Sequence, residues 1–462
     1  MNGPTVSDRI IARQEPLSAP TFIIYSEKVK AWLSNSLASV KLTVFLISLM
    51  AVFVLLGAWC PQTSQGGQDK VFEQFGEQTG QFLINIGVAN IFHSPAFLLL
   101  IGFLTVNIIF GSFKHVFPKL KLLKIPMPWL TANQILKMPV HNEFAANIPL
   151  SAMKNKVIAY LNKNGYKVKI NGEQLTAEQG KFGRLAPTVT HIGLLTLLTG
   201  VIWTSLTGFS GFKPVIPGEV FQFGDAEHSK MWIGKLPNWS ASVSETHRED
   251  YPSGEAKQWY SSIAVQDKEG KLIKEQTISV NNPLSYDGVD IYQSSWSLKS
   301  LKIRFGNELK TLSLQPMGKL FAAFLPLPDE AVLIFSVRDA QSPLRIFAKR
   351  KDWTAPKLLT QILPSKTANL GNVAVTYDGT IAQTGLQYKC DPGLPIVFIA
   401  FIFIIGGISL AAIPHKQIWA QLKENDSNGT LVTIGGTTKK GKVSFARQIA
   451  KLVDQLQKVS KV

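Results

Sequence analysis

The chain has 462 residues, 45% of them hydrophobic, and a formal net charge of +17. Its apolar residues collect in four long runs, which excludes an ordinary soluble enzyme and predicts a multi-pass membrane protein. Cys60 and Cys390 are the only cysteines, and no CxxC, CxxCH or Cys/His zinc spacing occurs; this is not itself a c-type cytochrome, a thioredoxin-like protein or a zinc module.

Residues 1–41 are polar and include Pro4, Pro16 and Pro20; Ser26 to Ser39 is expected to form a short helix on the membrane face. This N-terminal segment is too long and too weakly basic for a signal-peptide n-region. The first span is predicted at Leu42 to Trp59, within a 42–60 segment. Trp59 stands where a lipoprotein signal needs a small residue before the cysteine, so Cys60 is not read as a lipidation site. Residues 61–94 form a loop in which Val71, Phe72, Phe75, Phe82, Leu83 and Ile86 recur at helical spacing, as in an amphipathic helix lying in the membrane interface. His93 is read as an interfacial residue capping the next span.

The second span is predicted at 95–113. Residues 114–184 follow, with twelve basic and three acidic side chains. They read as a small helix-hairpin unit: a helix from Leu150 to Asn164, then strands 166–170 and 174–179 flanking Asn171-Gly172. The third span, 185–209, contains no Asp, Glu, Lys or Arg but does contain His191. An imidazole at membrane depth is costly unless it has a partner, so His191 is either a hydrogen-bonded packing residue or a ligand to metal or haem iron. It is the seventh residue of the span, about 10 Å in at the helical rise.

Residues 210–391 carry runs of strand composition at 220–223, 259–265, 277–280, 331–337 and 373–377, separated by Gly, Pro and Asn. They predict a β-rich domain with no catalytic triad, phosphate loop or metal cluster. His228 and His247 sit in polar sequence and are read as exposed surface residues. The fourth span is predicted at 394–413, and residues 414–462 form a tail whose Phe445, Ile449, Leu452, Val453 and Leu456 share one helical face, as expected of a helix that docks on the 114–184 segment or on a partner.

Charge alternates across the four spans. Residues 114–184 and 415–462 are strongly basic, the latter with nine basic and three acidic side chains. Residues 210–391 are nearly balanced, with twenty-one and nineteen. This positive-inside pattern predicts cytoplasmic N and C termini and an extracytoplasmic β-rich domain. Topology and contact with membrane lipids account for the basicity, and no nucleic acid is needed. The predicted fold class is therefore a multi-pass membrane protein: four transmembrane α-helices, a large β-rich extracytoplasmic domain and a small cytoplasmic α+β unit. Cys60 and Cys390 both fall at outer ends of spans, where a disulfide or two free thiols are both open; a redox pair is disfavoured, because neither has the paired-cysteine context that tunes reactivity.

Several stretches carry a family resemblance. ANIFHSPAFLLLIGFLTVNIIFGSFKH (89–115), NGYKVKINGEQLTAEQGKFGR (164–184) with the His-containing span after it, SLTGFSGFKPVIPGE (205–219) and VNNPLSYDGVDIYQSSW (280–296) resemble, in this order and topology, the ResB family of system II cytochrome c maturation. The family often has a glycine soon after the arginine preceding the third span, whereas here Arg184 is followed by Leu185-Ala186-Pro187. The resemblance implies a bacterial inner-membrane protein working with a membrane partner, CcsA (ResC). Together they would move haem b, held in transit, across the membrane for attachment to CxxCH motifs of apocytochrome c. It gives His191 the role of an axial haem ligand, with a second histidine from the partner. The chain lacks a WGxxWxWD-type tryptophan-rich segment, so the attachment chemistry is expected in the partner. Two other readings compete: a b-type haem electron conduit, whose second ligand would be His115 or His415 although both read as solvated, and a non-catalytic scaffold with a protein-binding outer domain.

Overall fold

The computed structural model describes residues 19–225, 227–228, 231–253, 255–328, 330–425 and 429–459. Its helices are α1 (Ala19–Leu37), α2 (Val40–Trp59), α3 (Thr63–Phe75), α4 (Glu77–Asn85), α5 (Pro95–Gly111), α6 (Ala132–Ile135), α7 (Leu150–Lys163), α8 (Ala186–Thr207), α9 (Leu394–Ala412) and α10 (Lys442–Val459). Four stretches, Val40–Trp59, Glu77–Lys121, Lys181–Thr207 and Leu394–Ala412, are long and apolar enough to cross a membrane, with α2, α5, α8 and α9 as their apolar cores. Together with the large β-rich region they make this a membrane protein with four apolar helices and a β-rich domain, as the sequence predicts. The helix expected at Ser26 to Ser39 starts earlier, at Ala19; Pro20 sits in its first turn, where a missing N–H costs nothing. Pro4 and Pro16 lie outside the described residues.

The chain forms two compact units, Met1–Ser48, Leu100–Gly200 and Pro395–Val462 in one and Leu49–Leu99 and Val201–Leu394 in the other. In the first unit a five-stranded antiparallel sheet runs in the order Val140–Ala146, Thr430–Thr438, Lys416–Glu424, Gln174–Gln179, Lys167–Asn171. The sequence leads one to expect residues 114–184 to be a helix-hairpin unit and 414–462 a tail that docks on it, or on a partner, by one helix. They share this sheet instead, with the two C-terminal strands at its centre. A common sheet requires the intervening chain to cross a membrane an even number of times, as two spans do.

One face of the sheet is covered by α7 and α10, where Met153, Val157 and Leu161 meet Phe445, Ile449 and Leu452. The alternation of a strand puts Ile418, Ala420 and Leu422 on that face and Trp419 and Gln421 on the other. There the segment before Val140 packs down: Trp419 Nε1 donates to the Pro128 carbonyl at 2.8 Å, and Gln174 Nε2 to Leu130 at 3.1 Å. The hairpin turn falls on Gly172-Glu173, one residue later than the Asn-Gly signal suggested. Gly172 has φ 57°, as the first central position of a primed turn requires.

The second unit holds sheets of seven, five and four strands. Two strands, Val289–Phe305 and Val373–Cys390, pair antiparallel along their length and pass through two of its hydrophobic clusters. Asp287-Gly288, both with positive φ, form the turn that launches the first of them. At a register shift between Gln293 and Ser295 the core turns polar. Buried Ser261 donates to Gln293 Oε1 at 2.7 Å, and Gln293 Nε2 donates to Thr384 Oγ1 at 2.7 Å and to the Ser295 carbonyl at 2.9 Å. The loop at 61–94 is two helices, α3 and α4, broken at Gly76 (φ 76°), rather than one. Val71 and Leu83 are buried against Cys60 and Ala89, while Phe82 and Ile86 are exposed. Gln62 fastens the end of α2: its Nε2 donates to the Cys60 carbonyl at 2.8 Å, and its Oε1 accepts from Ile91 N–H at 3.1 Å.

Candidate functional site

His191 is the sixth residue of α8 and is half-buried. Its Nδ1 lies 2.9 Å from Ser112 Oγ. Ser112 follows α5 directly, at the start of a π-helical turn, Ser112–Val116, closed by a bond from Phe117 N–H to the Ser112 carbonyl. Such turns widen a helix and recur at functional sites. Ser112 is fully buried, and its hydroxyl donates to the Ile108 carbonyl at 2.6 Å. Among the described residues none forms a hydrogen bond with His191 Nε2. The imidazole is thus tethered through one nitrogen while the other keeps its bonding capacity for a ligand. Ser112 could not be singled out from the sequence, where it is one hydroxyl 79 positions away at the end of an apolar run.

Small residues set the position of α8 against α9. A Cβ added to Gly193 would lie 2.7 Å from Ile404 Cγ1 and 2.9 Å from Ile404 N; one added to Gly407 would lie 2.8 Å from Thr190 N. Close helix approach through glycine is the usual device where burying apolar surface gives no advantage over lipid. At the head of α8, Gly180 (φ 73°) and Gly183 pack against the Pro414 and Ile413 carbonyls. Asn107 on α5, 1% exposed, joins α1, α2 and α5. Its Nδ2 donates to the Leu37 carbonyl at 2.6 Å and to Ser39 at 3.3 Å, and its Oδ1 accepts from Thr43 Oγ1 at 2.6 Å.

The remaining candidates lie apart from this tether. His415 is not solvated: its Nε2 is 2.7 Å from Glu178 Oε1, with both side chains less than one-fifth exposed. His115 is exposed in the π turn. Ser94, not His93, caps α5, its Oγ accepting from Phe97 N–H at 3.2 Å; His93 ends the preceding turn. His247 is exposed and stacks on Tyr260 at 5.0 Å. The side chain of His228 lies outside the described residues. Cys60 and Cys390 are both free thiols in this structure, Cys60 buried and Cys390 at the end of its long strand. Among the described residues no group of three His, Cys, Asp or Glu side chains could hold a metal ion. The half-buried His191 imidazole, with an Nε2 that no described residue hydrogen-bonds, could give one bond to a metal-bearing cofactor.

Comparison with known proteins agrees with this architecture. The chain is similar to a cytochrome c biogenesis protein CcsB of Microcystis aeruginosa, 28% identical over 443 residues, covering 92% of this chain and 95% of that protein. It is 29% identical over 401 residues to a CcsB of a Synechococcus strain, covering 82% and 80%. It is 29% identical over 405 residues to the chloroplastic cytochrome c biogenesis protein CCS1 of Oryza sativa, covering 84% and 69%. The sequence profile of the ResB-like family matches residues 40–330 and 314–450. Extending from the first apolar helix into the C-terminal amphipathic one, that match makes the chain a member of the ResB-like family.

Proposed function

We propose that this protein works in cytochrome c biogenesis as the haem-handling membrane subunit that partners CcsA (ResC). In this reading it lies in the bacterial inner membrane with its termini and five-stranded-sheet domain in the cytoplasm and its larger β-rich domain outside. Haem b is the cargo, apocytochrome c the acceptor, and attachment to CxxCH takes place in the partner. The observation that carries the reading is His191, an imidazole at membrane depth tethered at Nδ1 and not hydrogen-bonded by any described residue at Nε2. The names of the relatives, all cytochrome c biogenesis proteins, supply the pathway. Haem iron would be held by the His191 imidazole, which this chain orients through Ser112 and positions through the packed pair of α8 and α9. A permanent two-histidine site within the chain gains no support, because His415 is committed to Glu178 and His115 faces outward.

The test is the absorption spectrum of the detergent-purified protein, with and without the partner, as wild type and as His191→Ala. A Soret band that needs both the partner and His191, with added imidazole partly restoring it in the variant, is the expected result. Unchanged haem content in His191→Ala would refute the assignment.

A further inference from the structure

Two hydrogen bonds converge on one hydroxyl, and together they set which imidazole nitrogen carries the proton. Ser112 Oγ has one proton to give and two lone pairs to accept with. The Ile108 carbonyl can only accept, and it lies 2.6 Å away, the short separation of an O–H···O bond. That bond uses the hydroxyl's proton. The second contact, 2.9 Å to His191 Nδ1, has the length of an N–H···O bond, and only Nδ1–H can be its donor. Ser112 is fully buried, which leaves no room for water to take its place.

We infer that Ser112 is a positioning residue that holds His191 as the Nδ1–H tautomer and so presents an Nε2 lone pair to an incoming iron. In a neutral imidazole only one nitrogen carries a lone pair for a metal, and the hydrogen bond on the other decides which. The opposite tautomer would place N–H at Nε2 and block ligation there. The π turn is part of the arrangement, because it begins at Ser112 and so fixes where this hydroxyl leaves the end of α5. Ser112 touches neither iron nor cargo; it acts through His191. The inference rests on the proposed haem ligation by His191 but makes a separate statement about the haem-free protein.

The experiment uses the full-length chain in detergent, labelled with 15N-histidine and free of haem. The His191 signals are assigned by their loss in His191→Gln. Wild type should show a protonated Nδ1 and a bare Nε2. Ser112→Ala should move the signals toward the other tautomer and weaken His191-dependent hemin binding by about 10–100-fold, the usual effect of removing a partner of a metal ligand. Ser112→Thr, whose hydroxyl can make the same bond to the carbonyl four residues back, should restore both. An unchanged tautomer in Ser112→Ala overturns the inference, even if hemin binding falls, because only packing would then have been lost. An unchanged hemin affinity in that variant overturns it as well. Full hemin binding by His191→Gln would instead refute haem ligation by His191, while the nitrogen signals of wild type and Ser112→Ala still decide the tautomer.

Discussion

Two adjacent glycines on α9 offer a test of how α8 is held. A Cβ on Gly407 would lie 2.3 Å from Thr190 Oγ1, 2.8 Å from Thr190 N and 3.1 Å from Thr190 Cα, whereas a Cβ on Gly406 would have nothing within 4 Å. Turning the threonine side chain relieves the first contact only. The others belong to the α8 backbone, so α8 must move by about 0.6 Å to regain ordinary contact, a strain of the overpacking kind worth about 1–3 kcal/mol. Replacing glycine by alanine in a helix returns about 0.5–1 kcal/mol. Gly406→Ala should therefore be neutral or slightly stabilising, and Gly407→Ala should lose roughly 1–2 kcal/mol. The helix gain is common to both variants and their difference is the strain, so at about 2–4 °C per kcal/mol for a unit of some 200 residues the second variant should melt roughly 2–12 °C below the first. Tryptophan fluorescence of the detergent-solubilised full-length protein would follow the melt. Because Thr190 precedes His191, Gly407→Ala should also weaken hemin binding, and Gly406→Ala should not. A Gly407→Ala protein that melts with or above Gly406→Ala would refute the close packing from which the difference is derived.

Two further outcomes are expected. Asn107→Leu removes the bonds to Leu37, Ser39 and Thr43 and leaves the partly buried Leu37 carbonyl without its side-chain partner, at a cost of about 1–3 kcal/mol. Limited proteolysis of the reconstituted protein should then cut faster at the Ala38-Ser39 junction, and an unchanged cleavage rate would count against the clamp. Burial holds the Tyr166 hydroxyl well above its ordinary pKa, partly opposed by its 3.2 Å bond to Gln448. A raised folded-state pKa means that the stability from the neutral phenol is full below about pH 10 and is lost as pH climbs toward the folded value. Tyr166→Phe should lower the denaturant midpoint slightly at pH 7, by the equivalent of about 0.5–1.5 kcal/mol, and flatten the alkaline decline; an equally steep decline in both proteins would contradict this.

The four apolar helices were legible because a bilayer demands a length of apolar sequence that nothing else in the chain imitates. The hairpin, α7 and α10 were legible because their signals are local: a turn residue, a helix stop, a 3.6-residue stripe. The strands Lys416–Glu424 and Thr430–Thr438 pair with each other as a local hairpin but were absorbed into a tail, because both of their faces are covered, which leaves no alternation to read, and their outer partners lie more than 200 residues earlier. The long strand Val289–Phe305 escaped for a related reason. Its serines and lysines interrupt the strand pattern, and the three register shifts that accommodate them arise from pairing with Val373–Cys390. His191 stood out as the only histidine inside an apolar run, but Ser112 is informative only once α5 and α8 are side by side.

The sheet that joins both ends of the chain has a consequence for biosynthesis. When residues 140–179 leave the ribosome, the strand Val140–Ala146 has no neighbour and Gln174–Gln179 is paired only with Lys167–Asn171, so an edge of each stays open through more than 230 further residues of synthesis. Only the last segment of the chain, made after α9, supplies the central pair that fills the gap. A polypeptide that stops early, or whose final span fails to bring its end back to the starting side, keeps an unpaired edge that chaperones and proteases recognise. Closing the sheet thus waits on the strands made after α9, because the pair that fills the gap lies on the far side of two apolar helices in the chain.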